Sequence, residues 1–96
     1  MIRHAVFFKF KPEISEDDRA DFLARVQALP QRVPGILQPE TGRDFLRTPR
    51  SYDVALLFGF ADRAALALYQ SHPNHIPVVE RAKQICESIA AVDYEV

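Results

Sequence analysis

Strand-like and helix-like segments alternate along this chain in the order β-α-β-β-α-β, and few compact folds accept that order. Residues 2–10 and 52–60 are rich in β-branched and aromatic residues, so both are predicted strands. Apolar residues recur at helical spacing between residues 15 and 30, and again from Asp62 onwards. Because 96 residues suffice for one domain, we predict a single domain over residues 1–96.

Prolines and capping residues predict where these segments begin and end. Ser15 and Asp18 belong to a capping box, and Pro30 ends the helix that follows. Asp62 is a credible N-cap for a helix over residues 63–70, and Pro77 suits the first turn of another helix that runs to about Glu87. The remaining predicted elements are a turn at 33–36, an irregular edge strand at 37–46, a turn at 48–51 and a last strand at 89–96.

This order most often gives a four-stranded antiparallel sheet with helices on one face, the ferredoxin-like arrangement of the α+β class. Alternation along a strand then decides which side chains share a face. One face of the first strand carries Ile2, His4, Val6, Phe8 and Phe10. The face without helices carries Phe7, Ala55 and Leu57, which would be exposed to solvent in a monomer. Two copies that pack these faces together would bury them, so we predict a homodimer.

Composition excludes several classes of partner. The formal net charge is −1 and the basic residues are scattered, which gives no case for a nucleic-acid or anionic-membrane partner. The apolar runs are far shorter than the roughly 20 residues that span a bilayer, and the first residues form no signal segment. The single cysteine, Cys86, falls in a predicted amphipathic helix and is expected to be a buried thiol rather than a nucleophile. We therefore expect a cytoplasmic protein.

The segment Tyr69-Gln-Ser-His-Pro-Asn-His75 is the main candidate for chemistry. Pro73 disfavours helical dihedrals at His72, so the segment is predicted to be a corner between two helices. His75 could abstract a proton while Tyr69 hydrogen-bonds the developing enolate oxygen. Alternatively, His75 caps a helix or bonds a backbone carbonyl, and Tyr69 anchors its ring in the core. His4 is either a third polar ring of this site or a satisfied core residue.

Other constellations carry less weight. His4, His72 and His75 lack the cysteine or carboxylate that would complete a tetrahedral metal set, so we predict no metal and no cofactor. His72 is expected to face solvent or pair locally. Asp93 lies opposite Val92 on the last strand, and we expect it to be a solvated or dimer-interface carboxylate.

Three segments together resemble the stress-responsive α/β-barrel (Dabb) family. They are HAVFFKFKP at residues 4–12, the helix start FAD at 60–62, and YQSHPNH at 69–75 followed by VDY at 92–94. The match covers essentially the whole chain in the right order. The resemblance implies a ferredoxin-like protomer that pairs into a dimeric α+β barrel, in a family without a single assigned activity.

One plant branch of this family consists of polyketide cyclases, which close a linear poly-β-ketone by an intramolecular aldol reaction without a cofactor. The resemblance maps its two acting residues to Tyr69 and His75. It also implies a pocket between sheet and helices that is lined here by His4, Val6, Phe8, Phe22, Val26 and Leu56. This chain has Val54 where the branch has a further pocket histidine, and Val26 where the branch has an aromatic residue.

Three functions are therefore open. The first is a barrel protein that binds a small hydrophobic or aromatic ligand between sheet and helices without turnover. The alternative is a cofactor-free cyclase or isomerase that uses Tyr69 and His75 as an acid/base pair. The third is a haem- or oxygen-using monooxygenase, which rests on the shared barrel architecture alone.

Overall fold

The chain folds into one antiparallel sheet with its helices packed on one face. The computed structural model describes all residues from 1 to 96. Its elements are β1 (Ile2–Phe10), α1 (Glu16–Arg32), β2 (Leu37–Arg43), β3 (Val54–Phe60), α2 (Arg63–Gln70), α3 (Ile76–Ile85) and β4 (Cys86–Glu95). The strands lie in the order β2-β3-β1-β4. This is the predicted ferredoxin-like fold. None of the three helices has the length and apolar composition needed to cross a membrane.

Both predicted N-caps are confirmed. The Ser15 hydroxyl accepts a hydrogen bond from the Asp18 N–H at 3.1 Å, and the Asp62 carboxylate accepts one from the Ala65 N–H at 2.8 Å. Each side chain thereby satisfies one of the N–H groups that a helix start leaves without an internal partner. The starts of α1 and α2 are thus encoded locally.

The ends of α1 and α3 differ from the prediction. Pro30 lies inside the last turn of α1, where its missing N–H removes only one hydrogen bond, and the helix closes when Val33 N–H donates to the Leu29 carbonyl at 2.9 Å. The end of α3 falls at Ile85, because Cys86 is extended and pairs with Phe10 of β1. Cys86 is therefore a strand residue rather than a helical one, although it is buried as predicted.

The hairpin of β2 and β3 is shorter than predicted. Asp53 lies outside β3, because its carboxylate accepts the Phe10 N–H at 2.7 Å while its own N–H donates to the Phe8 carbonyl at 2.8 Å. At the other end, the register of β2 shifts between Leu37 and Glu40, where Gln38 has a φ of 46°. β2 is thus the irregular edge strand that was predicted, although it ends at Arg43 instead of residue 46.

The two faces of the sheet have opposite surroundings. The helix-facing side chains of β1 and β3 form the core with α1, α2 and α3, and Phe22, Phe58 and Phe60 are fully buried there. We call the other side the outer face. It carries Ala5, Phe7, Ala55, Leu57, Ala90 and Val92. No helix covers this face, and Phe7 and Leu57 each keep more than a third of their surface exposed.

Candidate functional site

A cavity of about 170 Å³ lies between the sheet and helices α2 and α3. Nine of its twelve lining residues are hydrophobic. An engineered cavity of about 150 Å³ binds benzene, whereas pockets for drug-sized ligands span about 300–1,000 Å³. The space therefore fits a molecule of about one ring.

Most, but not all, of the predicted pocket residues line this cavity. The sheet contributes His4, Val6, Phe8, Leu56 and Ile89, and the corner between α2 and α3 contributes Tyr69, Gln70 and His75. Phe22 and Val26, which were also expected here, lie in the packed core instead. Phe22 fills the space under α1 by packing edge-to-face against Phe8 and Phe10, with ring centroids 5.1 and 5.9 Å apart. The contact of α1 with the cavity is made by Leu29.

A tight turn at His72 and Pro73 brings two rings of the site together. His72 N–H donates to the Tyr69 carbonyl at 3.1 Å, and the His75 N–H donates to the His72 carbonyl at 2.9 Å. The turn is tied to α1, since the Asn74 side-chain amide donates to the Arg32 carbonyl at 3.0 Å. His72 itself pairs locally, because its Nδ1 accepts the Asn74 N–H at 3.0 Å. The turn places the His75 ring over the Tyr69 ring, with centroids 4.0 Å apart.

His75 has a neutral imidazole ring, and only one of its two nitrogens has a hydrogen-bond partner in the protein. Its Nδ1 lies 3.3 Å from the Gln70 carbonyl, and since a carbonyl only accepts, Nδ1 carries the proton. Burial lowers the pKa of His75 below its usual value, although the hydrogen bond to Gln70 partly opposes that shift. The ring is therefore uncharged at pH 7, and its Nε2 keeps a lone pair. The bond to a backbone carbonyl thus leaves the second nitrogen available.

Tyr69 is an anchor whose polar end has no partner in the protein. The side chain is almost completely buried, and its ring lies 5.1 Å from Phe60, 5.8 Å from His4 and 5.9 Å from Phe58, measured between centroids. Burial alone raises the pKa of the hydroxyl far above its usual value, and no hydrogen bond within the protein engages it. The hydroxyl therefore stays protonated and can donate to a bound molecule.

Sequence reasoning missed the pairing of His4, which lines the cavity, with Asp93, which lies outside it. His4 Nδ1 is hydrogen-bonded to the Asp93 carboxylate. The two residues are register partners on β1 and β4, so Asp93 lies on the helix-facing side rather than on the outer face, and its side chain is exposed to solvent, as one of the two expectations for it had it. The Asp93 carboxylate accepts a hydrogen bond from the Nδ1–H of His4, which leaves His4 Nε2 without a partner in the protein. The pairing of the first and last strands was the signal that could have revealed this contact.

Two other kinds of site find no support among the side chains. The Cys86 thiol has a pKa raised to about 11 by burial, so it is protonated near neutral pH and a poor nucleophile. No group of three or more histidine, cysteine, aspartate or glutamate side chains is arranged to hold a metal ion.

Solved structures show the same fold in several proteins. A Dabb family protein with a ferredoxin-like fold from Mesorhizobium loti is 27% identical, with a TM-score of 0.84 over 99% of this chain and 95% of that chain. A dimeric ferredoxin-like protein of unknown function from Jannaschia is 29% identical, with a TM-score of 0.79 over 99% and 98% of the two chains. Hydroxynitrile lyase from Passiflora edulis is 21% identical, with a TM-score of 0.87 over 99% and 92%.

Comparison of the sequence with known proteins and families indicates which family the chain belongs to. No curated protein matches this sequence at a significant level. The model of the stress responsive A/B barrel domain matches residues 2–96, which is nearly the whole chain. Together with the ferredoxin-like sheet, this match identifies the chain as a member of the stress-responsive A/B barrel (Dabb) family.

Proposed function

We propose that this protein binds a small, largely apolar molecule of about one ring that carries a carbonyl or hydroxyl group. The observation that carries the proposal is the Tyr69 hydroxyl, which lines a hydrophobic cavity and has no partner in the protein. The hydroxyl is a donor without a partner in the protein, and a ligand oxygen could accept its hydrogen bond. The volume of about 170 Å³ favours such a ligand over a linear polyketide or a haem.

The binding proposal is tested with single-ring fragments such as phenol, benzaldehyde and acetophenone. Val79 of α3 lines the cavity, so the larger side chain of Val79→Phe is expected to fill it. Fragments that bind the wild-type protein should then no longer bind this variant. Ala28→Phe is the matched control, because Ala28 is a half-buried helix residue away from this cavity. Ligand-observed NMR should report binding to the wild type and to Ala28→Phe alone. Equal binding to Val79→Phe would place the ligand elsewhere.

A second function, proton transfer on the bound molecule, is favoured by the contact between His4 and Asp93. A carboxylate that holds an imidazole in one tautomer is a recurring way to prepare a general base. In this proposal His4 Nε2 removes a proton from the carbon next to the ligand carbonyl, and the Tyr69 hydroxyl donates a hydrogen bond to the enolate oxygen. Return of a proton to the carbon restores the ketone, so the net reaction is proton exchange. His75 is the neighbouring candidate base.

Proton transfer is checked by following exchange of the methyl protons of acetophenone in D₂O by NMR. Asp93→Ala is expected to slow the exchange by at least about 10-fold, because general-base help is worth about 10²–10⁴-fold and depends on the correct tautomer. Glu95→Ala serves as the matched control, since Glu95 lies two residues along the same strand and pairs with Arg63. Exchange no faster than in buffer would exclude this second function and leave the binding proposal intact.

We also propose that two copies pair through their outer faces as a homodimer. Phe7, Ala55 and Leu57 lie together on this face and no helix covers them. A dimer would remove this apolar surface from water. The 29% identical protein from Jannaschia is described as dimeric, which supports the proposal.

We further propose a cytoplasmic location. Cys86 is the only cysteine of the chain, and it is a buried free thiol. Chains that depend on disulfides are typical of oxidising compartments, and this fold has none. Fractionation of the source cells with an antibody against the protein tests the location.

A further inference from the structure

The connection between β2 and β3 holds two apolar side chains out in solvent. We call residues 44–53 the β2–β3 arm. Phe45 is 90% exposed and Leu46 is 67% exposed. Single exposed apolar residues are ordinary, but two adjacent large ones at the tip of a loop form a patch that marks an interaction site.

The arm is rigid rather than loose. The Asp44 carboxylate accepts the Arg47 N–H at 2.8 Å, and the Arg47 guanidinium pairs with the buried Asp53 carboxylate at 2.7 Å. The Thr48 N–H donates to the Ser51 hydroxyl at 3.0 Å. A loop fixed by its own hydrogen bonds loses little conformational entropy on binding, so its exposed side chains are prepared for a partner.

The arm is continuous with the outer face. A cavity of about 380 Å³ lies between them, with Phe45 on one side and Phe7 and Ala55 on the other. Tyr52 crosses the same surface, since its ring centroid is 6.3 Å from that of Phe7 and its hydroxyl lies 3.0 Å from the Ser88 hydroxyl of β4. A partner that covers the outer face would therefore also contact the arm.

The area required by a stable dimer also favours the arm as part of the interface. A large apolar side chain has about 200 Å² of surface, so the exposed outer-face residues Phe7, Leu57, Val92 and Tyr94, 36%, 38%, 58% and 50% exposed, offer about 350 Å² together. Phe45 and Leu46 add about 300 Å². A stable interface buries about 800 Å² per partner, which the centre of the outer face does not approach without the arm.

We propose that the β2–β3 arm docks on the first residues of β4 in a second copy of this chain, an inference that rests on the proposed homodimer. The free edges of the sheet are β2 and β4, and β2 is too irregular to pair well with itself. A two-fold axis parallel to the strands places β2 beside the β4 of the other copy. The arm and Cys86 lie at the same end of the sheet, so each arm then meets the start of that strand.

The side chains at this meeting point are complementary. Ala90, which pairs with Phe7 near the start of β4, lies on the outer face and offers an apolar contact for Phe45. Glu87 is also exposed there, and Arg50 of the arm supplies a positive charge. Because the two-fold axis repeats the contact, each dimer contains two contacts between an arm and the β4 strand of the other copy.

The first test is the dimer dissociation constant measured by analytical ultracentrifugation. Phe45→Ser is expected to weaken the dimer by about 30-fold or more, since an anchoring aromatic side chain is worth at least about that factor. Leu68→Ser is the matched control, because Leu68 is 72% exposed on α2, away from the outer face. An unchanged dissociation constant for Phe45→Ser would overturn the role of the arm.

The second test locates the contact. Because native Cys86 is buried, the double variant Leu46→Cys with Glu87→Cys should form a covalent dimer on mild oxidation, and neither single variant should. A weakened Phe45→Ser dimer without this crosslink would overturn the placement on β4. A wild-type chain that is monomeric at all concentrations would instead overturn the proposed homodimer itself, and the inference with it.

Discussion

Tyr69→Ala should lose about 3–5 kcal/mol of unfolding free energy, the usual cost of deleting a buried aromatic side chain. The Tyr69 ring is almost completely buried and packs between Phe60 and His75, with centroids 5.1 and 4.0 Å away. Domains of this size are stable by only about 5–15 kcal/mol, so the loss removes a large part of the total. The midpoint of urea denaturation, measured at one protein concentration, checks this prediction.

Tyr69→Phe is the matched variant that separates packing from chemistry. It keeps the ring and removes only a hydroxyl that has no hydrogen bond within the protein, so its unfolding free energy should stay within about 1 kcal/mol of wild type. Its affinity for phenol or acetophenone should nevertheless fall about 5-fold, the value of one hydrogen bond of about 1 kcal/mol. A Tyr69→Phe protein as unstable as Tyr69→Ala would show that the hydroxyl serves the fold.

Leu57→Lys is expected to dissociate the proposed homodimer at micromolar concentration. Leu57 is more than a third exposed in the isolated chain, so a lysine there is tolerated by the protomer. In a dimer formed through the outer faces, two ammonium groups would be buried without partners, at several kcal/mol each. The dimer dissociation constant should rise at least about 1,000-fold. Light scattering reports the mass directly.

The control for this experiment is Leu68→Lys, which adds the same charge on the exposed side of α2. It should leave the mass unchanged, and far-ultraviolet circular dichroism should show both variants folded. A Leu57→Lys protein with the mass of the wild-type dimer would move the interface to another surface.

Local sequence signals predicted the framework of the fold well. Ser15 and Asp62 cap their helices, because a side-chain oxygen next to the first N–H groups needs no distant contact. Strand alternation alone placed His4 on the helix-facing side and Leu57 on the outer face. The ends that were wrong, at Pro30 and Cys86, are positions where packing or strand pairing overrides local preference.

The candidate site was predictable only in part, because it depends on contacts between distant segments. Alternation correctly placed Asp93 opposite Val92, but only the register of β4 against β1 decides which of them faces the helices. The resemblance implied Val26 as the pocket residue of α1, whereas Leu29 makes the contact, because the resemblance does not show which turn of the helix lies over the cavity. The resemblance identified Tyr69 and His75 but gave no account of their stacking.

The pairing of β1 with β4 also governs the order in which this molecule is completed. His4 and Asp93 are 89 residues apart in the chain, yet they form one hydrogen-bonded pair. During synthesis the N-terminal end emerges first, so nearly all of the chain has to be synthesised before the partner of His4 is present. Such long-range contacts slow folding, and β1 stays without one of its two neighbouring strands throughout that interval. The candidate site is therefore among the last parts of the protein to form.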